Sequence, residues 1–100
     1  MSLPVVFLSG ADADLQEIFN RFENYQDGFG VEFITAVDAY LTRIGVFPES
    51  APSYSGPVRR QVMQGFPYGI FYEPYATRIV VIAILDLRQS PGKIHRRLGR

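Results

Sequence analysis

A chain of 100 residues, 47% hydrophobic and 14% aromatic, is the length of one domain and holds enough apolar material for one core, which excludes a disordered chain. The absence of cysteine excludes disulfides, thiolate nucleophiles and cysteine-based zinc sites, and it fits a reducing cytoplasm. A formal net charge of zero conceals an asymmetry: residues 1–50 carry eight acids against Arg21 and Arg43, whereas residues 51–100 carry eight bases against Glu73 and Asp86.

Pro4 to Ser9 opens the chain with a short apolar segment of strand-favouring residues, Val5, Val6, Phe7 and Leu8. Ser9 and Asp12 have the spacing of a capping box, so a helix is expected to begin there. Leu15, Ile18, Phe22 and Tyr25 then recur at helical spacing, and Asp27-Gly28 breaks the pattern. A second helical pattern runs through Phe29, Phe33, Val37, Tyr40, Leu41 and Ile44, with Gly45 where a C-terminal cap belongs and Pro48 forbidding continuation. Two amphipathic helices with so short a break form an antiparallel hairpin. Pro48 to Pro57 reads as a connecting loop.

Beyond that loop the period changes to two. Val58–Met63 alternates basic and apolar residues, Gln64-Gly65 makes a turn, and Phe66–Glu73 puts Tyr68, Ile70 and Tyr72 on one face. Large amphipathic rings at Tyr68 and Tyr72 suit a core, with each hydroxyl near its rim. Arg78–Asp86 is almost continuously apolar, as expected of a strand covered on both faces or placed centrally. Leu87 to Arg100 is a short basic tail with Arg88, Lys93, Arg96, Arg97 and Arg100 and no acid. The expected fold is therefore α+β, in the order β-α-α-β-β-β, with the helical hairpin packed on a small antiparallel-rich sheet in a single domain, 1–100. Met1 to Leu8 lacks the basic flank of a signal peptide, and Ile79 to Leu85 is far shorter than the roughly 20 residues of a membrane span. A cytoplasmic protein with no membrane partner is the expectation.

The ordered set of marks resembles the RelE/ParE toxin superfamily, which includes plasmid stabilisation proteins. Asp14-Leu15-Gln16-Glu17-Ile18 is similar to that family's first-helix opening, and Phe33, Leu41, Ile44 and Pro48 resemble its second helix and exit. Arg60 followed by Phe66-Pro67-Tyr68-Gly69-Ile70-Phe71-Tyr72 looks like the signature of its second and third strands. Ile79 to Leu85 resembles the last strand, and Arg88 with Pro91 its ending. The chain departs from the pattern at Asp86, where many members have His, and at Gln89 and Ser90, which replace Arg and Asp. Those departures bear on activity more than on fold.

The resemblance implies the toxin half of a type II toxin–antitoxin pair, with two possible targets. ParE-like members inhibit DNA gyrase by binding. RelE-like members are ribosome-dependent mRNA endoribonucleases, whose chemistry needs a base for the 2′-hydroxyl proton, a cation on the phosphate and an acid for the leaving oxygen. Here that set would be Arg60, Arg88 and His95, with Glu73 as another proton carrier, and it is thin: His95 is the only side chain of a type that changes charge near neutrality. A ribosome-bound nuclease also favours a basic chain, and this one is neutral. The ParE-like reading is preferred. It puts target and antitoxin contacts on Arg59, Arg60, Arg88, Lys93, Arg96 and Arg97, and it implies a cognate antitoxin whose acidic, partly disordered segment suits the basic half. A diverged, non-toxic relative is the third reading. No metal-ligand spacing, phosphate-binding loop or other cofactor motif occurs, so neither metal nor cofactor is expected.

Overall fold

In a computed structural model, which describes residues 1–99, the elements run β1 (Val5–Phe7), α1 (Ser9–Tyr25), α2 (Phe29–Val46), β2 (Ser53–Ser55), β3 (Val58–Val62), β4 (Tyr68–Pro74), β5 (Ile79–Asp86) and α3 (Pro91–Leu98). One five-stranded sheet has the order β1-β5-β4-β3-β2, parallel only where β1 meets β5. The expected α+β architecture holds. Two elements exceed the expectation: the loop after α2 contains β2, and the basic tail is largely the helix α3. The polar Ser-Tyr-Ser of β2 has no hydrophobic alternation to announce it, and it exists by pairing with β3.

The helical hairpin covers one face of the sheet. Phe33, Val37 and Ile44 of α2 and Ile18 of α1 are buried against Ile70, Tyr72, Val81 and Ile84. The break between helices is held by Gly28, whose φ of +93° favours glycine, and by Glu23. Its carboxylate accepts from the backbone N–H of Gly30 at 2.8 Å and of Gly28 at 3.1 Å, satisfying amides at the start of α2 that have no partner within the helix. Tyr25, expected on the apolar face, is exposed at the hairpin tip, with its ring 5.7 Å from that of Phe29.

Both expected cap assignments fail for identifiable reasons. The helix α1 leaves β1 with no intervening turn, so its N-cap is Leu8, which uses no side chain; its carbonyl accepts from Asp12 N–H while its own N–H donates to Val81. The Ser9–Asp12 capping box is thus not formed. Gly45 lies inside α2, one residue short of its end, and is needed for close approach: a Cβ there would stand 2.8 Å from Ser2 Oγ and 3.0 Å from the Leu3 carbonyl.

The strand β5 is covered on both faces, one of the two arrangements its apolar composition suggested. An extra residue at Ile82, between the pairs Tyr72–Val81 and Phe71–Ala83, reverses the alternation. Val81 and Ile84 therefore both join the helix-side core, while Ala83 and Leu85 face a second, smaller core with Val58 and Phe71.

Candidate functional site

The helix α3 closes over that second core. Ser90 is its N-cap, with Oγ accepting from Lys93 N–H at 3.3 Å, and Pro91 fills the first turn. Ile94 and Leu98, one turn apart, are buried on the sheet. Arg97 fastens the helix from the side: its guanidinium donates to both Asp14 oxygens, at 2.8 and 2.7 Å, and to the Gly10 carbonyl at 3.1 Å. Asp14 also accepts from Ile84 N–H at 3.0 Å. The reason lies in the length of β1, whose pairing with β5 ends at Val81, so the edge of β5 beyond it takes its acceptor from α1. The hydrogen bonds to Asp14 push the Arg97 pKa up.

Between α1, the ends of β4 and β5, and α3 lies a cleft of about 660 Å³, with Arg21, Tyr68, Asp86, Arg88 and Lys93 on its walls. Its charges are largely matched in pairs. Arg88 donates through Nε and Nη2 to Asp86, at 3.0 and 2.7 Å, and Asp86 also accepts from the Arg88 backbone N–H at 2.8 Å. These bonds hold the Asp86 carboxyl below its ordinary value of 3.8 and raise the Arg88 pKa. Arg21 donates to the Tyr68 hydroxyl at 2.6 Å and to Glu17 at 2.9 Å. Lys93 and, further along α3, Arg96 are exposed and make no ion pair among the described residues.

The opposite side of the sheet gathers a different group around Tyr54 of β2. Its ring packs edge-on to Phe71 with centroids 5.1 Å apart, lies 5.5 Å from the His95 ring, and carries the Arg60 guanidinium 4.9 Å above it. Arg60 Nε is buried there without a hydrogen-bond partner among the described residues. Arg59, the neighbour on β3, turns the other way and braces the loop before β2, donating to the Ala51 carbonyl at 2.7 Å and the Glu49 carbonyl at 3.3 Å.

The sequence-expected residues thus separate into groups. Arg60 and His95 meet at one ring; Arg88 is held by Asp86 at the cleft that Tyr68, Lys93 and Arg97 also line. The guanidinium groups of Arg59 and Arg97 are engaged in intramolecular contacts, and Arg100 lies outside the described residues. Sequence reasoning missed Tyr54 and Asp14 as organising residues. An aromatic between two serines beside a strand offered a weak signal for the first. The second depends on a contact 83 residues away in sequence and offered none. Among the described residues no group of His, Asp and Glu could hold a metal ion, and no helix is long and apolar enough to cross a membrane.

The backbone architecture has a solved counterpart. A chain of the "Chromosomal ParDE TA system from P. aeruginosa" matches with a TM-score of 0.74, covering 87% of this chain and 98% of that one. The fold is ParE-like. Sequence identity over that match is 15%, so the likeness resides in backbone architecture. No family model matches the sequence, and no curated protein does. A shared fold does not fix function, so the roles of α3 and the Tyr54 face rest on their own chemistry.

Proposed function

We propose that the protein is the toxin of a type II toxin–antitoxin pair, serving plasmid stabilisation in the cytoplasm. It acts as ParE-like toxins do, by binding DNA gyrase, and a cognate antitoxin with an acidic, partly disordered segment neutralises it. The observation that carries the binding mode is the state of Arg88, whose guanidinium is taken up by Asp86 instead of standing free for a phosphate, while Arg60 and His95 pack on the Tyr54 ring. A nuclease needs its proton carrier and its phosphate-holding cations around one scissile bond, whereas a binding toxin needs only a rigid scaffold and an accessible charged surface. Lys93 and Arg96, exposed and without ion pairs on α3, suit that surface, and Arg88 at the cleft extends it. Matching cations on one face steer an anionic partner toward it.

One observation favours the RelE-like alternative. Arg60, with its unpartnered Nε, and His95 share the Tyr54 ring, and a cation, an imidazole and an aromatic face are groups on which a single-stranded RNA base stacks. Inducible expression in a bacterial host without antitoxin separates the readings. Growth arrest with filaments and intact mRNA is the expected outcome. Arrest with cleaved mRNA would transfer the function to Arg60, Arg88 and His95, and normal growth with folded protein would mark a non-toxic relative.

A further inference from the structure

Away from α3, three exposed apolar side chains converge on one groove. Val46 and Phe47 at the end of α2 and Tyr75 in the β4–β5 turn are 42%, 62% and 44% exposed, and they border a depression of about 890 Å³. Solvent-facing apolar side chains are ordinary when scattered; three around one concavity are the signature of a contact surface. Both walls are fixed in advance. On one side Phe47 N–H donates to the Arg43 carbonyl at 2.8 Å, Ser50 N–H to the Phe47 carbonyl at 3.0 Å, and the buried Tyr72 hydroxyl to the Pro48 carbonyl at 2.9 Å. On the other, Tyr75 N–H donates to the Arg78 carbonyl at 2.8 Å. A surface that is already ordered loses little entropy when it binds.

The charge of the rim selects the occupant. Arg43 forms no ion pair among the described residues, and the Arg78 guanidinium stands 4.9 Å above the Tyr75 ring. Glu49, the acid on this rim, is turned toward Arg59, 3.9 Å away. An apolar floor between two cations complements a segment with apolar anchors and flanking carboxylates. We propose that this groove docks such an acidic, apolar-anchored segment of a partner protein and, resting on the toxin reading above, that the partner is the antitoxin.

Calorimetric titration of the intact chain with the small protein encoded beside its gene tests this. The Phe47→Ala/Tyr75→Ala pair is expected to weaken binding at least about tenfold, as loss of buried aromatic anchors does. Arg43→Glu is expected to weaken it about threefold to tenfold and to flatten its salt dependence. Val31→Ala, at an equally exposed apolar residue near the start of α2, is the control and should leave affinity unchanged. All four positions are exposed, and circular dichroism verifies that each variant is folded. No binding by the wild-type chain would overturn the toxin–antitoxin reading and the groove assignment with it. Wild-type binding that the double variant retains would overturn the groove assignment alone. Self-association of the free chain, abolished by the double variant, would place a second copy in the groove and overturn the partner proposed for it.

Discussion

The two faces of the sheet are built on different scales. The helix side is closed by 17- and 18-residue helices, and in its core the Phe22 and Phe33 rings lie 5.5 Å apart, each 5.3 to 6.1 Å from the rings of Phe66 and Tyr68. The other side is closed by the eight residues of α3, anchored by Ile94, Leu98 and the Arg97–Asp14 pair, and its margin is polar, with Tyr54, Arg60 and His95. A helix of that length has no stability of its own in water and persists only through its docking. The two covers are therefore expected to respond differently, the first as part of the cooperative core and the second by local opening while the rest stays folded. The same partition separates stability from the surface proposed to act on a target.

The comparison is broken most forcefully at Phe33, which is fully buried between the helices and β4. Phe33→Ala removes a ring that touches three others and leaves a cavity, so a loss of about 3–5 kcal/mol is expected, a large share of the roughly 5–15 kcal/mol that holds a small domain. Urea denaturation should show the midpoint falling with every probe moving together. A loss below about 1 kcal/mol would mean that the helix side is not where cohesion resides.

Asp14→Ala sharpens the contrast. It strands the Ile84 N–H and releases Arg97, for an expected cost of about 1–3 kcal/mol. The effect should be local: amide exchange along α3 should accelerate well beyond that of β4 and β5. Uniform acceleration would show that α3 belongs to the cooperative core after all.

How far the sequence revealed these faces follows from the range of the interactions. The helices, the strand pattern of β3 to β5 and the core positions Ile18, Phe33, Val37, Ile44, Ile70 and Tyr72 were legible because periodicity reports burial locally. Of the two tyrosine hydroxyls expected near the rim, that of Tyr68 meets Arg21 at the cleft, whereas Tyr72 is fully buried and its hydroxyl donates to the Pro48 carbonyl. The strand β2 was not legible, because its pairing rather than its composition makes it a strand. Nor was the state of the basic residues. Their charge is written in the sequence, but Arg59 and Arg97 fold inward onto loop and helix partners while Lys93 and Arg96 do not, and that division is set by tertiary contacts. The Ser9–Asp12 motif misled because an immediate strand-to-helix junction left no room for a capping turn.

The smallest effect tests the helix side through the Tyr72 hydroxyl. Tyr72 is fully buried, and burial raises its pKa above the ordinary 10.0 despite the nearby Arg59 and hydrogen bonding. In the unfolded chain the hydroxyl ionises near 10, while in the folded chain it keeps its proton, so above that pH the unfolded state binds fewer protons than the folded one. The resulting stability slope is negative: this contribution is complete below pH 10 and is lost as pH rises through the folded pKa. Tyr72→Phe removes the bond to the Pro48 carbonyl and should lower stability at pH 7 by about 1 kcal/mol. It should also flatten the alkaline limb, so that wild-type and variant curves converge as pH rises above 10. Parallel curves would assign the alkaline loss to another group. Convergence would locate it at the joint where β4 meets the turn after α2, and the same substitution should then loosen the Phe47 wall of the groove, because the Pro48 carbonyl that Tyr72 holds is part of it.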